Sequence, residues 1–179
     1  MTNPTNPKIL PADFVSRLEL IFPTKQLDSV LRTFAQPPKT IFRCNNIKNT
    51  TEQLLDLLTK SGIECNPLNG INGAFYVPEN QRRALTKSIA CMEGRLYIQN
   101  PSSMLPPVIL SPNPGEEVLD LAAAPGGKTI HMADLMQNNG RIGAVEPVKK
   151  RFFRLKENLQ RAGATVLKIY LKDGRSVGR

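Results

Sequence analysis

The stretch "VLDLAAAPGGKT", residues 118–129, carries two adjacent glycines, Gly126 and Gly127, followed by Lys128 and Thr129. Paired glycines let a backbone come close to a ligand. The helix that opens after them offers unpaired N–H groups and a positive dipole end, which together favour an anion. A triphosphate-cradling loop would need a further glycine at position 122, and that residue is Ala122. The G-x-G-x-x-G dinucleotide fingerprint also fails, since only Gly126 and Gly127 are present. The surviving chemistry suits a carboxylate as well as a phosphate. Glu146 follows Gly127 by 19 residues, the spacing at which a carboxylate accepts hydrogen bonds from ribose hydroxyls. Asp173, in "LKDGR", reads as an acid beside the same crevice, within reach of an adenine amino group. One glycine loop and two acids make an adenosine-shaped site.

Other reactive residue types are few. His131, one turn into the helix after the loop, is expected to be an exposed or hydrogen-bonded helix residue, because a general base needs a partner that is not evident. Cys44, Cys65 and Cys91 lie far apart with no CxxC pair, which argues against a zinc site and against a disulfide framework. No metal is expected, and a reducing cytoplasm is the expected location. The N-terminal "MTNPTNPKILPADF" lacks the apolar core of a signal peptide, and no later run has the length of a membrane span.

The elements that must position these residues read as two patterns. Residues 1–11 are expected to be a flexible arm and 12–100 an α+β module. In that module "PADFVSRLELIF" and "KQLDSVLRTF" have apolar residues at helical spacing, the second stopped by Pro37 and Pro38. "TIFRCNNI" is a strand candidate. Thr50 and Gln53 form a capping box before "EQLLDLLTK", and Gly62 ends that helix. "GIECNPL", "GAFYVP" and "RLYIQ" complete the strands. From Gly115 the order becomes strand (118–122, buried), helix (128–136), strand ("RIGAVE"), helix from Pro147 to Gly163, and strand ("ATVLKIYLKD"). That alternation implies parallel pairing, the first half of a Rossmann-like sheet over residues 101–179, so the fold class is α/β.

The formal net charge is +9. Between Arg141 and Arg179, basic residues outnumber acids by eleven to three, so nearly all of the excess sits in the last fifth of the chain. This favours a polyanionic partner, nucleic acid first. Lys149, Lys150, Arg154 and Arg161 lie on one helix there. They suit either phosphate contacts or the solvated outer face of a helix whose apolar side packs on the sheet.

"VLDLAAAPGGKT" resembles the S-adenosylmethionine motif of the Sun-type (nucleolar-protein/Sun) RNA cytosine-C5 methyltransferases. "FRCNNIK" resembles their Arg-x-Asn-x-x-Lys segment, and "GRLYIQNPSSMLP" their Gln-x-x-Ser-Ser-Met stretch; Asn100 stands where relatives commonly carry an acid. "LKDGRSVG" is most similar to the bacterial branch acting on small-subunit ribosomal RNA. The resemblance implies S-adenosyl-L-methionine as cofactor, with Ala122, Ala123, Ala124, Pro125, Gly126, Gly127 and Lys128 as its loop, Glu146 as the ribose acid and Asp173 on the adenine side. It implies that the N-terminal module helps to hold RNA, with Arg43, Asn45, Lys48, Lys149 and Lys150 as candidate contacts.

In that family one cysteine adds to cytosine C6 and a second assists its release, both beyond the third strand. None of Cys44, Cys65 and Cys91 stands in such a position. The chain is therefore expected to resemble a truncated family member, to carry no catalytic nucleophile of its own, and to be inactive alone. It would then depend on a complementary C-terminal chain or, in the alternative, serve as a non-catalytic RNA-binding scaffold derived from the family.

Overall fold

The computed structural model describes residues 10–36 and 39–178, in two compact units, Met1–Pro38 and Lys39–Arg179. The arm expected over residues 1–11 lies, for residues 1–9, outside the described residues, as do Pro37 and Pro38. In the first unit α1 (Ala12–Ile21) and α2 (Thr24–Ala35) each begin directly after a proline, Pro11 and Pro23. Phe14 meets Phe34 edge-on, with ring centroids 5.4 Å apart.

The second unit holds two sheets. In the first, β1 (Thr40–Cys44) is paired antiparallel on one side with β3 (Ala74–Val77) and on the other with β4 (Leu96–Ile98), and β2 (Asn66–Pro67) lies outside β3. The face of this sheet is covered by α3 (Thr51–Lys60), whose Leu54 and Leu58 are fully buried with Phe42, Val77 and Leu85. Each such leucine contributes roughly 1.5–3 kcal/mol by leaving water. The expected capping box forms: the Thr50 hydroxyl accepts from Gln53 N–H, and the Gln53 side chain accepts from Thr50 N–H.

The second sheet is parallel, in the order β5 (Glu117–Asp120), β6 (Arg141–Val145), β7 (Leu167–Tyr170). Its connections are α7 (Gly127–Leu135) and α8 (Lys149–Ala162). From α8, Leu155 and Leu159 pack with Ala144 of β6 and Ile130 of α7. Gly163, at φ 76°, ends α8 in the left-handed conformation that glycine adopts without strain.

Two expectations need correction. The strand at 118–122 is not buried throughout. Leu119 and Leu121 are about half exposed, and β5 is an edge strand of its sheet. The sequence also hides α4 (Arg82–Lys87), α5 (Ile89–Met92) and α6 (Pro101–Leu110). α6 contains Pro106 and Pro107, which read as helix breakers. Pro101 occupies the first helical position, where no N–H is needed. Pro107 cannot donate to the Ser103 carbonyl, and the Gln99 side-chain amide takes that acceptor instead, at 2.7 Å. The second compact unit contains both sheets, which are joined by the buried side-chain contacts described next.

Candidate functional site

The loop between β5 and α7 is built by its own first acid. Asp120, the last residue of β5, accepts the Ala122 N–H at 3.3 Å with one carboxylate oxygen and the Thr129 hydroxyl at 2.7 Å with the other. That closes the loop end to end. Ala123 N–H donates to the Val145 carbonyl of β6, which seats the loop over the carboxyl ends of the parallel strands. Gly126, at φ 112°, turns the chain into α7. Lys128 is exposed in the first turn of that helix, and the first N–H groups of the helix have no acceptor within it.

Two carbonyls of the loop are tied to α8. Arg151 Nη2 donates to Ala124 O at 2.9 Å, and Asn158 Nδ2 donates to Pro125 O at 2.7 Å. Glu146 follows β6 and is 1% exposed. One of its oxygens accepts the Val148 N–H at 3.0 Å, and the other lies 3.5 Å from Arg151 Nη1. Each carboxylate oxygen has two lone pairs, so acceptor capacity is left for a ligand hydroxyl. Asp173 is bound by Arg175 through both oxygens, and these charge-assisted hydrogen bonds hold its carboxyl down at about 2. Gly174 comes so close to the loop that a Cβ there would meet Leu121 O at 2.9 Å. The predicted loop, Glu146 and the Asp173 turn therefore converge on one end of the sheet. A cleft of about 200 Å³ opens beside the loop, between Tyr97, Gln99 and Ser103 on one side and Ala123–Pro125, Gly127 and Lys128 on the other.

Of the expected RNA contacts, Arg43 and Asn45 are inside the protein. Arg43 is 2% exposed and pairs with Asp134 of α7 at 3.1 Å, while its Nε donates to Gln99 Oε1 at 3.3 Å. Asn45 is fully buried and donates to Gly94 O and Ala162 O. Both residues join the two sheets and are buried, so neither faces a solvent-borne polyanion. Lys48 is exposed, with its ammonium on Glu93 O at 2.8 Å; Lys149 and Lys150 are exposed at the start of α8.

His131 is corrected as well: it is 7% exposed, and its Nδ1 has no partner. Burial first, and then the Arg43 charge, push its pKa down to about 3. The unfolded chain takes up this proton near 6.5 and the folded chain does not. The contribution of this residue is therefore complete above about 6.5 and is lost as the pH falls toward about 3. A urea midpoint that falls over this window, and falls less in His131→Leu, is the expected result.

Asp120, Arg151 and Asn158 are the site residues that sequence reasoning missed. The signal for Asp120 was present in the spacing of acid and hydroxyl at either end of the loop.

A family model described as 16S rRNA methyltransferase RsmB/F matches residues 107–179, and one described as the N-terminal domain of 16S rRNA methyltransferase RsmF matches residues 10–101. The ribosomal RNA small subunit methyltransferase F of Shewanella loihica is 33% identical over 158 residues, covering 86% of this chain and 32% of that protein. The tRNA (cytosine(49)-C(5))-methyltransferase of Pyrococcus abyssi is 36% identical over 148 residues, covering 80% of this chain and 46% of that one. The crystal structure of a methyltransferase homolog from Pyrococcus horikoshii superposes with a TM-score of 0.78 at 29% identity, covering 94% of this chain and 59% of that one. The chain thus spans 32% and 46% of the length of these two curated relatives.

Proposed function

The chain belongs to the 16S rRNA methyltransferase RsmB/F family, and from that premise we propose that it is the cofactor-binding and RNA-side part of an enzyme that methylates C5 of a cytosine in RNA, ribosomal RNA first. The observation that carries this reading is that the Gly126–Gly127 loop, buried Glu146 and the Asp173 turn all lie at the carboxyl end of the parallel sheet. The residues fit S-adenosylmethionine. The N–H groups at the start of α7 suit its carboxylate, the free lone pairs of Glu146 suit the ribose hydroxyls, and Asp173 would take the adenine amino group in exchange for one of the four hydrogen bonds it accepts from Arg175. Bound there, that cofactor supplies an electrophilic methyl carbon.

The chain's own residues would hold and orient the cofactor. They offer no nucleophile for the cytosine. Cys44 is 2% exposed, and burial pushes its thiol up. Burial also takes Cys65 to about 11 and raises Cys91 against the opposing effect of Arg161. A thiol must ionise to attack, and these three stay protonated at neutral pH. The described residues therefore support a chain that does not transfer methyl groups alone. A complementary polypeptide bearing the family's cysteine motifs is the proposed partner. Its support is a groove of about 580 Å³ on the second sheet, lined by Leu119, Gly143, Tyr170 and Val177. The same cysteine chemistry favours, as the second reading, a non-catalytic RNA-binding scaffold. Lys48, Lys149 and Lys150 remain the proposed phosphate contacts, and the cytoplasm the proposed location; no described helix is long and apolar enough to cross a membrane.

Calorimetry with S-adenosylmethionine tests the cofactor assignment: saturable binding is expected, and no heat from folded protein at high ligand concentration overturns it. Methyl transfer to RNA by the chain with Cys44, Cys65 and Cys91 all changed to serine would overturn the assignment of the nucleophile to another polypeptide.

A further inference from the structure

Three residues on α8 form a row facing the loop. Arg151 and Asn158 are seven residues apart, two helical turns, so they share a face. Arg161, one turn further, donates from Nη2 to Asn158 Oδ1 at 2.8 Å. That bond fixes the amide of Asn158 with its Nδ2 toward the loop, where it donates to Pro125 O at 2.7 Å. Arg151 spans two parts of the crevice, with Nη2 on Ala124 O and Nη1 beside the Glu146 carboxylate.

The planarity of the peptide unit gives these bonds a consequence. In a trans peptide the carbonyl and the following N–H point in opposite directions. Holding Pro125 O against α8 therefore aims the Gly126 N–H away from α8. It also fixes the direction from which the chain enters the first turn of α7. Because Gly126 has no side chain to restrict its backbone, its own conformational preference does not fix this orientation.

We propose that Arg151 and Asn158 are positioning residues for the cofactor. Asn158, oriented by Arg161, sets the amide donors that face the amino-acid end of the ligand, and Arg151 sets the loop and the ribose acid relative to one another. The inference rests on the cofactor assignment above and adds a division of labour between two ends of the ligand.

Calorimetry on the full chain with two probes, S-adenosylmethionine and adenosine, separates the roles. Asn158→Leu is expected to weaken S-adenosylmethionine binding about tenfold, one lost hydrogen bond's worth of orientation, while leaving adenosine binding unchanged. Arg151→Met is expected to weaken both, and Arg151→Lys, which keeps a charge near Glu146, to recover part of the adenosine binding. Should Asn158→Leu not fold, Arg161→Met removes the orienting bond at an exposed position and is expected to show the same selectivity for S-adenosylmethionine. Equal loss for both probes in the Asn158 or Arg161 variant, or no loss for either, overturns the proposal while leaving the cofactor assignment intact. Absence of S-adenosylmethionine binding by the unaltered chain overturns both.

Discussion

Replacing Asp134 with alanine is expected to destabilise the chain by about 3–5 kcal/mol, the usual cost of leaving one member of a buried ion pair uncompensated. Arg43 and Asp134 are 3% and 7% exposed at their side chains. One oxygen of Asp134 also accepts from the backbone N–H and the side-chain amide of Asn46, both at 3.2 Å. Burial acts against the charge of each partner: the guanidinium is drawn down to about 10, and the carboxyl of Asp134 is pushed up. Arg43 remains charged at pH 7, so removing its Asp134 partner strands a cation whose Nη2 already lacks a partner. Urea denaturation monitored by circular dichroism measures the loss. The double change Arg43→Met with Asp134→Leu is expected to recover most of it, since apolar residues of similar volume often replace a buried pair at little cost. A single variant within about 0.5 kcal/mol of the parent, the range of an ordinary surface substitution, would mean that the pair does not bear on stability.

Changing Gly126 to valine is expected to reduce S-adenosylmethionine binding by roughly 30-fold or more, with a smaller loss of stability. The left-handed φ of 112° costs an L-residue about 1–2 kcal/mol. A Cβ at this position would lie 3.1 Å from Leu155 Cδ1, and Leu155 is fully buried, so overpacking adds about 1–3 kcal/mol. The loop relieves this strain by leaving its seat on α8, and the ligand must then restore the seat from its own binding energy, at about 1.4 kcal/mol per tenfold in affinity. Calorimetry reads the effect directly. Unchanged affinity would show that the ligand does not use this conformation of the loop.

The loop and Glu146 were legible in the sequence because their chemistry is local: glycines, a helix start, and an acid one crossover later. The parallel sheet followed from the same alternation of elements. Arg43 was not legible. A charged residue in a strand reads as a surface residue because arginine is rarely buried unless paired, and its partner Asp134 lies 91 residues further on. Nothing within reach of a local pattern announces that meeting. α6 was missed for a different reason. Its prolines lower the helical signal, and the compensating donor, Gln99, belongs to the segment before the helix. His131 looked like an ordinary polar helix residue because Arg43, whose charge acts on it, comes from a strand of the other sheet.

The bonds from Asn45 bear on how the chain is made. Its amide closes on Gly94 O, 49 residues away, and on Ala162 O, 117 residues away. A ribosome adding about 5–20 residues per second leaves a delay of roughly 6–23 seconds between the synthesis of Asn45 and that of its second acceptor. During that interval the nascent first sheet acquires β3 and β4, and the end of its inner strand β1 lacks this polar closure. The Asn45 amide is therefore satisfied only after the last turn of α8 has been made, and a nascent chain stalled before residue 162 would present an open Asn45 amide to the chaperones that meet it.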